Sequence, residues 1–191
     1  MKVLLPILQK MQVDPTFCVL SAKYASILYE LFFILDFNNK QGLDDIQFCS
    51  FLLEATDLTT TQVGHIFDIF DLDKSGMVEF NEFYVLMCIL VAMKDGKAKS
   101  FLYQHWRTCF ELLDEDGSKS ISRHEFITLG YLFGFTSEAV KLIYDEFDVS
   151  GNKELDIEEF RLFVFEAINI QQRIDQGGTT RFKKMLNKFF A

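Results

Sequence analysis

Phe67-Asp68-Ile69-Phe70-Asp71-Leu72-Asp73-Lys74-Ser75-Gly76-Met77-Val78-Glu79-Phe80-Asn81-Glu82-Phe83 decides how this chain is read. Counted from Asp71, oxygen-bearing side chains fall at positions 1, 3, 5, 9 and 12 of a twelve-residue segment, with glycine at position 6. A hard divalent cation such as Ca²⁺ takes roughly six to eight oxygens. A twelve-residue loop supplies them from positions 1, 3, 5, 7 (a backbone carbonyl), 9 and 12, the last a bidentate Glu. The candidate ligands are therefore Asp71, Asp73, Ser75, the Met77 carbonyl, Glu79 and Glu82. Around them, Phe67 and Phe70 at helical spacing and Phe83 just past the segment indicate a helix entering and a helix leaving.

The same frame recurs at Asp36, Asp114 and Asp148. Four residues before each start stands an aromatic: Phe32, Phe67, Phe110 and Tyr144. Leu35, Phe70, Leu113 and Phe147 immediately precede the Asp. Position eight is always aliphatic (Leu43, Val78, Ile121, Leu155), in a short extended stretch where two loops can pair back to back. Phe48, Phe83, Phe126 and Phe160 follow position twelve, where each is expected to pack against its entering helix. The starts are 35, 43 and 34 residues apart, so units one and two pair, as do three and four. Thr59 or Thr60, and Thr136, are candidate N-caps for the entering helices of units two and four.

The four loops are unequal. Loop three offers Asp114, Asp116, Ser118, the Ser120 carbonyl, Ser122 and Glu125. Loop four offers Asp148, Ser150, Asn152, the Glu154 carbonyl, Asp156 and Glu159. Both carry lysine at position six (Lys119, Lys153), where a non-glycine residue at positive φ costs about 1–2 kcal/mol. Weaker binding than in loop two is the expectation. Loop one has Lys40 at position five, Gly42 displaced to seven and Gln47 in place of the bidentate Glu. It is expected to bind nothing and to serve loop two as a structural partner.

This helix–loop–helix repeat resembles the EF-hand family over roughly residues 20–170. The resemblance implies an all-α fold of four EF-hand units in two paired lobes, with a short β-bridge between paired loops. The domain plan is an N-terminal segment (1–21), a first lobe (22–93), a polar linker (94–99), a second lobe (100–174) and a tail (175–191). Short stretches are similar to a narrower group, the calcium sensors of the sperm CatSper channel: Cys18-Val19-Leu20-Ser21, Phe33-Ile34-Leu35-Asp36, Thr56-Asp57-Leu58 and Phe83-Tyr84-Val85-Leu86-Met87-Cys88. That resemblance implies Ca²⁺ as cofactor, pH-dependent sensing, a flagellar location at the inner face of the plasma membrane, and channel cytoplasmic segments as neighbours. It also implies a dedicated partner subunit, CatSper zeta in mammals.

Charge and composition narrow the function further. A net charge of −9 and a pI near 4.8 argue against nucleic acid as the main partner, since phosphate binding rests on Lys and Arg. The four cysteines (Cys18, Cys49, Cys88, Cys109) lie in apolar helical pattern without CxxC spacing, which reads as free thiols in a reducing compartment. The opening Met1–Pro6 is too short an apolar run for a secretory signal and lacks the Met-Gly of myristoylation. Phe83–Met93, the longest apolar run, is about half of what a bilayer needs. A soluble, intracellular protein is expected. No nucleophile–base pairing or phosphate-binding Gly-rich loop is evident, so no enzyme activity is expected.

Twenty-two Phe residues exceed what two small cores require, and the Phe83–Met93 helix is apolar all round. One face of that helix is expected to pack in its lobe and the other to meet a partner. The helix bearing Leu162, Phe163, Val164, Phe165, Ile168, Ile170 and Ile174 shows the same excess. Grooves rich in Phe and poor in Met suit a dedicated target better than many targets. The tail places Phe182, Met185, Leu186, Phe189 and Phe190 on one helical face beside Arg181, Lys183, Lys184 and Lys188. It could fill its own lobe, bind a partner or lipid, or fray. His65 and His105 read as ordinary helical residues. His124, at position eleven of loop three, could weaken that loop when protonated. The reading that follows is a calcium sensor regulating a membrane-associated assembly; the alternative is a calcium-insensitive light chain of an axonemal or cytoskeletal structure.

Overall fold

The computed structural model describes residues 1–71, 73–133 and 137–165. Thr136, Ile168, Ile170, Ile174 and the whole 175–191 segment therefore lie outside the described residues. The chain divides into two compact units, Met1–Phe101 and Leu102–Ala191.

In unit one a short helix α1 (Pro6–Lys10) precedes α2 (Ala22–Leu35), strand β1 (Leu43–Asp44) and α3 (Asp45–Ala55). Then come α4 (Thr60–Phe70), β2 (Met77–Val78) and α5 (Phe80–Lys94). A further helix, α6 (Ala98–Gln104), crosses the boundary. Unit two holds α7 (Trp106–Leu113), β3 (Ser120–Ser122), α8 (Arg123–Phe133), α9 (Ser137–Phe147), β4 (Glu154–Asp156) and a last helix, α10, over residues 157–165. This is the all-α EF-hand architecture, with two small antiparallel ribbons.

The ribbons join position eight to position eight. Leu43 faces Val78 in one, Ile121 faces Leu155 in the other, and all four side chains are fully buried. The Phe after position twelve is fully buried in every unit. Its aromatic neighbour adds a contact beyond the expected packing within its own unit. Phe48 meets Phe67, Phe83 meets Phe32, Phe126 meets Tyr144 and Phe160 meets Phe110, with ring centroids 5.4 to 5.6 Å apart. Each exiting helix thus packs on the entering helix of the partner hand. Tilted and edge-on pairs of this kind contribute about 0.5–1.5 kcal/mol beyond their burial. The crossing gives a physical reason for hands to come in twos: a lone hand loses these cross-hand aromatic pairs.

Helix boundaries follow local chemistry. Thr59, of the two threonines considered, caps α4: its side chain accepts from the Gln62 N–H while Gln62 returns a bond to the Thr59 N–H. At the end of α5, Gly96 takes φ +66°. Lys97 N–H reaches the Ala92 carbonyl at 2.7 Å and Gly96 N–H the Met93 carbonyl at 3.1 Å. That double bond around a left-handed glycine is a Schellman stop. The expected linker 94–99 is accordingly short, and α6 begins within it.

Residues 1–21 are no loose leader. Val3 bridges Thr56, Val13 bridges Leu20, and Leu4 N–H donates to the Ala55 carbonyl at 2.7 Å. Leu8, Met11, Val13, Cys18 and Leu20 are buried, and α1 packs on α5. Lys94 Nζ donates to the Met11 carbonyl, Val13 N–H to Asp95 and the Tyr84 hydroxyl to the Leu20 carbonyl. The second face of α5, expected to meet a partner, is therefore covered by the chain's own first twenty-one residues. Every residue from Leu86 to Ala92 is buried.

Candidate metal centres

The position-one carboxylate organises each loop. In loop two Asp71 accepts from the N–H groups of Ser75 and Gly76, both at 2.9 Å. In loop three Asp114 accepts from Lys119 N–H at 3.0 Å, and in loop four Asp148 accepts from Lys153 N–H at 3.0 Å. These bonds fold the following residues around the carboxylate and leave lone pairs facing inward. The N–H of position nine is bonded by the position-twelve Glu: Glu79 by Glu82 at 2.7 Å, Ser122 by Glu125 at 2.7 Å, Asp156 by Glu159 at 3.1 Å. The three glutamates are buried at the N-terminus of the exiting helix, where the helix dipole favours a carboxylate.

The remaining donors converge on these anchors. Ser75 Oγ lies 3.3 Å from Asp71 and 3.2 Å from the Met77 carbonyl, and its N–H bonds Asp73. Ser118 Oγ likewise lies 3.3 Å from Asp114 and 3.0 Å from the Ser120 carbonyl, with its N–H on Asp116. Hydrogen bonds from Ser75 hold Asp73 below the usual carboxylate range, and those from Ser118 do the same for Asp116. Carboxylate oxygens of Asp114, Asp116 and Glu125 lie within 4.8 Å of one another. In loop four Ser150 Oγ sits 3.4 Å from Asp148, and Asn152 Oδ1 accepts from Glu154 N–H at 2.8 Å. Among the described residues only the loop-three carboxylates stand that close together; loops two and four offer all-oxygen donors of the type a hard divalent cation takes, without that closure.

Loop one keeps the frame and loses the charge. Asp36 accepts from Lys40 and Gln41 N–H, at 2.9 and 2.7 Å. The Lys40 ammonium lies 3.2 Å from Asp44 at position nine. The hydrogen bond from Gln47 N–H, and then Lys40, hold the Asp44 carboxyl below its ordinary value. Gln47 donates its amide N–H to the Leu35 carbonyl at 2.8 Å, a bond that an ionised Glu cannot make. Gly42 is at position seven because a Cβ there would stand 2.9 Å from Met77 Cβ across the ribbon.

Backbone strain is shared differently from the expectation. Positions four and six are left-handed in all four loops: Asn39 and Gln41, Lys74 and Gly76, Gly117 and Lys119, Gly151 and Lys153. Loops two, three and four therefore each hold one lysine and one glycine at positive φ, in swapped order. Lysine at position six gives loops three and four no strain disadvantage relative to loop two, which carries Lys74 at position four.

One contributor was missed in the sequence. The Tyr144 hydroxyl donates toward the Lys153 carbonyl at 2.6 Å and the Ile121 carbonyl at 3.0 Å, tying loop four to the ribbon beside loop three. Burial pushes its phenol up to about 12. Its signal was present: it is the one hydroxyl among the four aromatics at that place. Ser120 Oγ also bonds Glu154 at 2.7 Å, so two residues wanted for their carbonyls link the loops through their side chains. His124 is exposed, His65 is half-buried on α4, and His105 stands at the N-cap of α7. The cysteines are free thiols; burial raises all four, Cys109 to about 12.

Known proteins are similar to this chain in sequence. A family model described as an EF-hand domain pair matches residues 103–164, and one described as an EH domain matches residues 22–106. An uncharacterized calcium-binding protein of Caenorhabditis elegans is 29% identical over 104 residues, 54% of this chain and 44% of the relative. Calcium-dependent protein kinase 4 of Plasmodium falciparum is 32% identical over 108 residues, 56% of this chain and 19% of the kinase. Guanylyl cyclase-activating protein 1 of Lithobates pipiens is 27% identical over 107 residues, 51% and 49%. The matched stretch is less than half of each relative's length. Together with the fold, these matches support the EF-hand superfamily and Ca²⁺ binding.

Proposed function

We propose that this protein is a calcium sensor, a regulatory subunit that binds Ca²⁺ in loops two, three and four and leaves loop one without an ion. The observation that carries the reading is the closed carboxylate cluster of Asp114, Asp116 and Glu125; loop two matches it in residue type with Asp71, Asp73 and Glu82, and loop four with Ser150 in the middle place between Asp148 and Glu159. Loading an EF-hand reorients its two helices, and the crossed aromatic pairs transmit that movement to the partner hand. The names of the relatives point the same way: a calcium-dependent kinase and a cyclase-activating protein. Among the described residues no helix is long and apolar enough to cross a membrane; the membrane association we propose is indirect, through a partner, or through the basic 175–191 sequence.

The finer reading is a subunit of a sperm flagellar cation channel with a CatSper zeta-like partner. Its support is the set of short stretches from Cys18-Val19-Leu20-Ser21 to Phe83–Cys88. Amide hydrogen exchange on the purified chain tests the sensor role. A sensor shows altered protection in α8 and α9 as free calcium rises through roughly 10⁻⁷–10⁻⁵ M. Unchanged protection across that range would leave a constitutive light chain instead.

A further inference from the structure

The outer face of hand one is unlike that of the other three. Two residues before the loop, and at loop positions two and eleven, it carries Ile34, Phe37 and Ile46. The same places hold Ile69, Leu72 and Asn81 in hand two, Leu112, Glu115 and His124 in hand three, and Glu146, Val149 and Glu158 in hand four. Only hand one is apolar at all three. Ile69 and Leu112 are buried, whereas Ile34, Phe37 and Ile46 are 71%, 75% and 73% exposed. With Ser50 and Phe51 they line one shallow open groove of about 230 Å³. Enclosed small-molecule sites run to roughly 300–1,000 Å³, so this groove is sized for an anchoring side chain.

Charge says what brings that anchor. Between Ala22 and Asp71 the chain has two cationic residues, Lys23 and Lys40, against eight Asp and Glu. Lys40 is held by Asp44. Glu30 lies one helical turn before Ile34, Asp45 adjoins Ile46 and Glu54 lies two turns beyond it, and all three are exposed. An acidic rim repels an anionic lipid surface. It also sets like charge against like in a face-to-face pair of copies. The complementary ligand is a helix with an apolar stripe flanked by Lys and Arg.

We propose that this outer face of hand one is a calcium-independent docking site for a basic amphipathic helix of a protein partner. It rests on the reading of the chain as a regulatory subunit. The site is independent of the ion because loop one is closed by its own Lys40–Asp44 pair and Gln47–Leu35 bond. The hand that lost its metal thereby becomes the fixed attachment point, and the loaded hands report calcium to whatever is attached.

The test uses the full chain with labelled isoleucine methyl groups, observed by NMR. The probe is a synthetic peptide of about eighteen residues, leucine on one helical face and lysine on the other. In EDTA the Ile34 and Ile46 methyls should shift saturably, and a peptide with glutamate replacing lysine should leave them unmoved. Ile46→Lys should weaken peptide binding at least about tenfold while the calorimetric calcium titration stays unchanged; a folding defect would alter both. Binding only in calcium, with Ile34 and Ile46 unmoved, overturns the proposal. So does sedimentation as a dimer that Ile46→Lys dissociates, or binding to phosphatidylserine vesicles in EDTA that Ile46→Lys abolishes. Calcium titration reads loops two to four separately, so failure of the docking site leaves the sensor reading intact, and a silent titration with peptide still bound removes the sensor reading alone.

Discussion

Lys74, Lys119 and Lys153 each hold left-handed backbone, at +54°, +66° and +67°. A side chain there costs about 1–2 kcal/mol, against which a glycine gives back part through a freer unfolded chain. Lys74→Gly, Lys119→Gly and Lys153→Gly should therefore each stabilise the protein by roughly 0.5–1 kcal/mol, read as three similar rises in melting temperature. Gains confined to the position-six lysines would restore the unequal strain that the sequence suggested. Tyr144→Phe removes a buried hydroxyl from two carbonyls, and should cost about 1–3 kcal/mol of stability in unit two. The neutral phenol is the form those bonds need. Its pKa is raised from 10.0 to about 12, so its stabilisation is complete below pH 10 and lost as pH rises towards 12. Tyr84 and the buried thiols are raised as well, so the alkaline destabilisation in that window, followed by circular dichroism, should be smaller in Tyr144→Phe than in wild type.

At the scale of elements, the frame of the fold was legible because its signals are local and repeated. An aromatic four residues before a loop, an aliphatic at position eight and a Phe after position twelve each name a place in a helix or ribbon. What those residues meet was not legible. That Phe48 touches Phe67 of the partner hand is a long-range fact, and so is the cover on α5. A helix apolar all round announces that it is buried, yet its composition cannot say whether a partner or the same chain does the burying. Residues 1–21 do it here through Leu8, Met11 and Val13, which alone have no period to betray them. Leu8→Ala should cost about 2–5 kcal/mol, since the side chain is fully buried, and should raise binding of an apolar dye by exposing α5. Loss of stability below about 1 kcal/mol would mean that the arm is peripheral. Thr59→Ala, which breaks the α4 capping box, should cost about 1 kcal/mol by thermal melting.

For the whole molecule the account is a division of labour among four similar hands. Three keep an oxygen set around a buried glutamate. The first has exchanged the ion for Lys40, and its glutamate for an amide bonded to the Leu35 carbonyl. The donor lists and the expectation of a silent first loop rest on residue types, because calcium selects charge and spacing. The equal strain, the Tyr144 brace and the apolar outer face depend on φ angles and exposure, which residue type does not give. Lys40→Asp combined with Gln47→Glu should create a fourth, weak site in the calorimetric titration, because it reverses two of the three departures, leaving Gly42 at position seven.

The central claim is that the chain binds three calcium ions, in loops two, three and four. Calorimetric titration of the purified protein tests it, repeated for Glu82→Gln, Glu125→Gln and Glu159→Gln. The account predicts three sites, with Kd values of roughly 10⁻⁷–10⁻⁵ M, and the loss of one site in each variant. No heat at micromolar calcium, or a stoichiometry that these glutamates do not change, would contradict it.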